Sequence, residues 1–353
     1  REAQEIAAKY NQKKVEELIA AIAYGCTQEE FRRKVSIMLV EEAGMGNVED
    51  KMAKMLGKAK GIYHENKDVP SCDLVESNVI TGMSKYIKPM GVIGALIPVT
   101  NSEVTQFGKA IMCLKGRNSI IFAPHPRGAK TTVFITDYLR NILKQFDAPE
   151  DLILTIDPEY VSIESSGELM RNVDFVLATG GTPMVRAAYS SGTPTIGVGT
   201  GNTTTFVDGT TDLGEVAEMI IKSKEFDGAT SCSTENNIIV LESIHDNLIA
   251  EFEARGGYYL KEGSREALKL KKTLWPEWPE NHKLNRHVVG QSAERIAELA
   301  DLNVPKGTRL LIAEDNEGVG SNFPFSGEKL SPITAIFTVK DFDAALNKMD
   351  EIL

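Results

Sequence analysis

Apolar residues recur at helical spacing through the first part of the chain. Ile6, Tyr10, Val15, Leu18, Ile19 and Ile22 share one face over residues 1–24. Thr27 followed by Glu30 has the pattern of a capping box and predicts a second helix opening there. A third helical stretch extends to about residue 64. Polar sequence separates it from the first apolar strand, Gly91–Pro98. From there the period changes. Short apolar runs at 119–123, 152–155, 174–178, 194–198 and 204–208 alternate with helical patterns near 128–146, 160–172, 182–190 and 212–225. Strands alternating with helices at this pitch predict β-α-β units, a mostly parallel sheet, and ligands at the carboxyl ends of its strands.

A second α/β series starts near residue 226. It has strands at 237–242, 308–314 and 334–339 and helices at 244–255, 263–272 and 340–353. The domain boundary is therefore placed between residues 226 and 227. Residues 273–287 read as an irregular loop or lid, in which Trp275 and Trp278 either anchor packing or touch a ligand. The chain begins without Met and stops at Leu353 inside a helix-like pattern, so further sequence is expected beyond both ends.

Composition narrows the function classes. The 42% hydrophobic and 25% charged fractions are those of a soluble globular protein. A net charge of −11 argues against a nucleic-acid or anionic-membrane partner, both of which need a basic surface. No signal peptide or spanning segment is apparent. Cys26, Cys72, Cys113 and Cys232 are scattered, without zinc-type spacing, which fits a reducing, cytoplasmic setting and no metal.

Five features can carry chemistry, and each has a plain structural alternative. Cys232 lies in F-D-G-A-T-S-C-S-T-E-N, where small neighbours leave room for a substrate carbonyl and for backbone N–H groups around an oxyanion. The alternative is an inert cysteine in a small-residue loop. Pro98-Val99-Thr100-Asn101 ends the first core strand, and the Asn101 amide is either an oxyanion donor or part of a turn. Gly180-Gly181 and Gly197-Val198-Gly199-Thr200-Gly201-Asn202 follow strands and allow close approach of a phosphate, or are simply turns. Neither is a G-x-G-x-x-G fingerprint in a first β-α unit. Pro124-His125-Pro126, with Arg127 and Lys130, can meet an adenosine or phosphate, or form a solvated loop. Glu328, in F-S-G-E-K-L-S-P, can bind a ribose diol or lie on the surface.

The order and spacing of these segments resemble the aldehyde dehydrogenase superfamily, and within it the CoA-acylating branch. That branch includes enzymes acting on sulfoacetaldehyde, acetaldehyde and succinate semialdehyde. The resembling runs are P-V-T-N (98–101), L-K-G-R-N-S-I-I-F-A-P-H-P (114–126), A-T-G-G (178–181), A-A-Y-S-S-G-T-P (187–194), G-V-G-T-G-N (197–202), the Cys232 segment, the 289–300 helix and G-E-K-L-S-P (327–332). The likeness spans nearly the whole chain.

The resemblance implies two Rossmann-like three-layer α/β/α domains with a small oligomerisation element. Residues 1–226 would form the dinucleotide-binding domain and 227–353 the catalytic domain. Cys232 would attack the aldehyde, with Asn101 and the Cys232 N–H holding the oxyanion. Pro98, Thr100, Pro124, His125, Pro126, Gly180, Gly181, Gly199 and Glu328 would line the dinucleotide. NAD or NADP would take the hydride and coenzyme A the acyl group, in a homo-oligomer of two or more copies. The A-T-S-C-S-T-E-N run leans toward sulfoacetaldehyde.

Two departures from the family pattern bear on this. Hydrolytic members carry a Glu in the segment matching 197–202, where it activates water, and here there is no carboxylate. A thioester destined for CoA is safer without that base. The assisting His of the family would lie beyond Leu353, and His282 and His287 are poor substitutes. The rival readings are a hydrolytic aldehyde dehydrogenase and a non-catalytic assembly module.

Overall fold

The computed structural model describes residues 1–353, which fall into two compact units, Arg1–Gly44 with Val48–Gly199, and Met45–Asn47 with Thr200–Leu353. The first unit opens with α1 (Glu2–Ala7), α2 (Gln12–Thr27), α3 (Glu29–Ala43), α4 (Val48–Asn66) and a hairpin of β1 (Asp73–Asn78) and β2 (Met83–Ile87). Then follow β3 (Val92–Ile97), α5 (Ser102–Lys115), β4 (Ser119–Pro124), α6 (Ala129–Gln145), β5 (Ile153–Thr155), α7 (Ile163–Asn172), β6 (Phe175–Thr179), α8 (Thr182–Tyr189) and β7 (Thr195–Val198).

The apolar stripe of residues 1–24 is two helices, because Asn11 caps α2 by accepting from the Lys14 N–H. The expected capping box at Thr27 is absent. Thr27 is the last residue of α2, and its hydroxyl donates back to the Tyr24 carbonyl at 2.7 Å. Gln28 takes the cap position of α3 without a side-chain bond.

The core sheet of this unit is parallel, in the order β5-β4-β3-β6-β7. Strand β3 is buried along its whole length. Its Ile93, Ala95 and Ile97 join the cluster that packs under α2, α5 and α6, while Val92 and Leu96 pack with α7 and α8. This two-residue alternation, apolar on both faces, is why the strand reads as a continuous hydrophobic run. The order of connections reverses at β3, so a crevice opens at the carboxyl ends of β3 and β6.

The second unit contains β8 (Thr204–Val207), α9 (Leu213–Glu225), β9 (Asn237–Leu241), α10 (His245–Glu253), β10 (Gly257–Leu260), α11 (Arg265–Leu274), α12 (Ala293–Leu299), β11 (Leu310–Glu314), β12 (Ile333–Val339) and α13 (Phe342–Ile352). Its sheet, also parallel, runs β10-β11-β12-β9-β8. Residues of α9 and α10 cover one face and residues of α11, α12 and α13 the other. The two units are thus separate three-layer α/β/α bodies. They part at Gly199/Thr200 and not at 226/227, because β8 pairs with β9 and belongs to the second sheet. The β-α rhythm runs unbroken across this point, and periodicity alone does not say which strands pair. Met45–Asn47 also belong to the second unit, where the Gly46 N–H donates to the Gly290 carbonyl at 2.9 Å. No helix is long and apolar enough to cross a membrane.

Candidate active site

The residues singled out in the first unit converge on one edge of its sheet. Pro98, Thr100 and Asn101 follow β3; Pro124, His125 and Pro126 end β4 or follow it; Gly180 and Gly181 follow β6, and Gly199 follows β7. All lie at strand carboxyl ends, around the crevice where the topology reverses. Gly181 caps α8 and offers no side chain to its first turn, which leaves the helix N-terminus without a side-chain acceptor. Open space surrounds the position of a Cβ at Gly199. An open helix terminus and bare glycine backbone beside a switch point suit a dinucleotide phosphate.

Several side chains position this crevice. Lys54, on α4, donates to Asn101 Oδ1 at 2.8 Å. An ammonium cannot accept a hydrogen bond, so it fixes the amide oxygen toward itself and leaves Nδ2 as the donor end. Nδ2 lies 3.3 Å from Thr100 Oγ1. Lys109, on α5, is buried and donates to the Leu96 and Leu177 carbonyls, each at 2.9 Å, bracing β3 against β6. Burial brings its amine down to about 7. His125 Nδ1 accepts from the Arg127 N–H at 3.1 Å. Burial, and then the Arg127 charge, keep its imidazole below its usual range. Arg127 itself donates to the Ala43 carbonyl. At the start of α6, Glu42 accepts from the Lys130 and Thr131 N–H groups at 2.9 Å each. The Glu42 carboxylate therefore already takes N–H donors at the start of α6, beside the loop that the sequence offered to an adenosine or phosphate.

In the second unit, Cys232 and Glu328 meet through Gly201. Cys232 is exposed, whereas Cys26, Cys72 and Cys113 are buried. A Cβ on Gly201 would lie 2.2 Å from the Cys232 carbonyl oxygen and 2.9 Å from its Cβ. The Gly201 N–H donates to Glu328 Oε1 at 3.1 Å, and Asn236 Nδ2 donates to the Gly201 carbonyl at 3.2 Å. Burial raises the Glu328 carboxyl, opposed by the Gly201 N–H and by Lys224 and Lys329. Asn202 and Asn237 both donate to the Ser326 carbonyl, at 2.8 and 3.1 Å, tying the 324–329 turn to the cysteine loop. This cluster precedes β8, β9 and β12 and so lies at their amino ends, the opposite of the general expectation for parallel sheets. Just before Cys232, Asp227, Gly228 and Ala229 all have positive φ, at 50°, 61° and 56°. A Cβ on Gly228 would lie 2.5 Å from the Gly290 carbonyl oxygen, so the turn needs glycine there.

Sequence reasoning missed Gly201, Lys54 and Lys224. Gly201 hid among three glycines of one run. Nothing in the sequence singles out the two lysines, which turn inward: Lys54 is 6% and Lys224 0% exposed. Gly201→Ala is expected to displace the Cys232 loop and lower turnover by about 10²-fold, the scale of an ångström-sized misplacement. Steady-state rates beside a thermal melt check this. Wild-type turnover would show that the loop accommodates a Cβ.

The chain matches the aldehyde dehydrogenase family over residues 30–266. The sulfoacetaldehyde dehydrogenase (acylating) of Bilophila wadsworthia is 40% identical over 353 residues, spanning 100% of this chain and 75% of that protein. A sulfoacetaldehyde dehydrogenase of an Acholeplasma species is 39% identical over 351 residues, spanning 99% of this chain and 71% of its own length. Among solved structures, an acetylating aldehyde dehydrogenase from Geobacillus thermoglucosidasius has a TM-score of 0.92 at 35% identity, covering 99% of this chain and 76% of that one. The chain belongs to the aldehyde dehydrogenase family. Within that family it is an oxidoreductase of the CoA-acylating kind.

Proposed function

We propose that the protein converts a short aldehyde, coenzyme A and oxidised NAD or NADP into an acyl-CoA, the reduced dinucleotide and a proton, with Cys232 as nucleophile. The observation that carries the acylating outcome is the 197–202 loop. It packs Gly201 against Cys232 and contains no carboxylate to activate water. The carboxylate that reaches this loop, Glu328, is engaged by the Gly201 N–H.

In this reading the Cys232 thiolate adds to the aldehyde carbon and a C–S bond forms. Asn101 Nδ2 and the Cys232 N–H receive the charge that develops on oxygen. A bound oxidised nicotinamide supplies the hydride acceptor, and the Cys232 adduct is left as a thioester. The thiolate of CoA then adds to that thioester, and Cys232 departs with the electron pair of the broken C–S bond. Glu328 binds the ribose next to the nicotinamide, and Pro98, Thr100, Pro124, His125, Pro126, Gly180, Gly181 and Gly199 border the dinucleotide. The first unit is the dinucleotide-binding domain and the second the catalytic domain.

The substrate we favour is sulfoacetaldehyde. Two relatives at 39% and 40% identity carry that name, and the A-T-S-C-S-T-E-N run leans the same way. The β1–β2 hairpin supports a homo-oligomer, since it exposes Leu74, Val79, Ile80, Met83 and Tyr86. Four unpaired cysteines support a cytoplasmic setting. The deciding experiment follows reduced dinucleotide formation from sulfoacetaldehyde, acetaldehyde and succinate semialdehyde, with and without CoA. We expect strict CoA dependence and a preference for sulfoacetaldehyde of about 10-fold or more in kcat/KM. Sustained turnover without CoA would establish hydrolysis and overturn the acylating reading.

A further inference from the structure

Lys224 stands in the last turn of α9, where a cation ordinarily serves the helix carbonyls from the surface. Here it is 0% exposed. Its Nζ donates to Thr234 Oγ1 at 3.4 Å. The Thr234 hydroxyl donates in turn to the Ser231 carbonyl at 3.2 Å. The Thr234 N–H reaches the same oxygen at 3.3 Å. Thr234 is itself only 6% exposed, so the Lys224–Thr234 bond is shielded from water.

The Ser231 carbonyl and the Cys232 N–H are the two ends of one planar peptide. A carbonyl that accepts two bonds, one of them backed by an ammonium, carries more negative charge. The N–H across the same peptide then becomes a stronger donor. The two bonds also hold the peptide plane against rotation, so the direction of that N–H is set.

We propose that Lys224 and Thr234 are positioning residues for the reaction, orienting and polarising the Ser231–Cys232 peptide so that its N–H meets the charge developing on the aldehyde oxygen. The proposal rests on the reading that Cys232 attacks and that its N–H faces that oxygen. Both residues act through the peptide and not on the substrate.

The relay carries a pH signature. Burial brings the Lys224 amine down to about 7, and Glu235 and Glu328 oppose that fall. Lys329 faces the same amine, with Asp315 next to Lys329. The ammonium form is present below about 7, and the charge behind the relay is lost as pH rises through that value. Its contribution to the rate therefore fades upward in pH.

The test is the single-turnover rate of reduced dinucleotide formation against pH in Thr234→Val, Lys224→Met, the double variant, Thr234→Ser and Glu235→Gln. Thr234→Val should lower the rate about 10-fold, less than the roughly 10²–10³-fold loss on removing an oxyanion donor outright. KM for dinucleotide and for CoA should stay within about 2-fold, since a positioning loss falls on the chemical step. The limb near pH 7 should vanish. Lys224→Met should match it, and the double variant should be no slower than either, because one relay is cut only once. Thr234→Ser should restore the rate. Glu235→Gln should move the limb to lower pH, and it keeps the test open if Lys224→Met does not fold. A wild-type rate in Thr234→Val, a limb that persists there, or losses that multiply in the double variant would each overturn the relay. Cys232→Ala is run beside these. Turnover in it would sink the nucleophile reading, whereas an inactive Cys232→Ala with an unaffected Thr234→Val would sink the relay alone.

Discussion

Cys232→Ala is expected to lower acyl-CoA formation by at least about 10⁴-fold while dinucleotide binding persists, because the variant removes the atom proposed to form the covalent bond. The other cysteines offer no substitute. Cys26 and Cys113 are buried, and burial pushes both thiols up, Cys113 to about 12. Cys72 is 7% exposed and sits against the Ser71 hydroxyl. Cys232 alone is exposed. Brief treatment with an alkylating reagent should therefore modify one site and stop turnover, and intact mass should locate an acyl adduct on the same residue when aldehyde and oxidised dinucleotide are supplied without CoA. Retention of even a hundredth of the wild-type rate in the alanine variant would remove Cys232 from the mechanism.

The second large effect is expected at Asn101. Asn101→Ala should cost about 10²–10³-fold in kcat, the scale of deleting one oxyanion donor, with a much smaller change in KM for the dinucleotide. Asn101→Asp is the sharper variant. It keeps an acceptor for Lys54, whose ammonium lies 2.8 Å from the amide oxygen, and replaces the N–H donor with a carboxylate oxygen. If donation by Nδ2 is the role, Asp should be as slow as Ala or slower, since a carboxylate repels the developing charge. Asn101→Ala also takes an acceptor from a buried ammonium and should lower stability by about 1–3 kcal/mol, measurable by denaturant titration. An Asp variant that keeps the wild-type rate would reduce Asn101 to a strut for Lys54.

Much of the architecture could be read directly from the chain, since both sheets are parallel and covered on both faces. Their central strands are continuous apolar runs, as in Val92–Ile97, and their helices are amphipathic. The β1–β2 hairpin escaped because both strands are largely exposed and carry no alternation. Strand β10 escaped because Gly257–Leu260 is too short to show a period. The domain boundary was misplaced because the rhythm of β7 and β8 is continuous while their pairing is not. Among the candidate residues, those whose chemistry depends on their own type, such as Cys232, Asn101 and Glu328, could be singled out. Those whose importance comes from packing could not. Nothing in I-I-K-S-K-E-F says that Lys224 points inward, and only the geometry shows that Gly201 has no room for a Cβ.

The excursion of Met45–Asn47 into the second unit has a consequence for anyone recombining relatives of this chain. The chain crosses between the two units three times, after Gly44, after Asn47 and after Gly199. A chimera joined at residue 199, the obvious seam, would supply the second unit with a foreign 45–47 segment. The Gly290 carbonyl takes the Gly46 N–H at 2.9 Å, and Asp227 Oδ1 takes the Asn47 N–H at 3.2 Å. A Cβ at position 46 would lie 1.7 Å from Asp227 Oδ1, in the turn that leads to Cys232. The tripeptide thus travels as part of the thiol-bearing body although it is encoded among the first helices. Grafts that move residues 45–47 together with 200–353 keep that turn intact, and grafts that respect only the linear order break it.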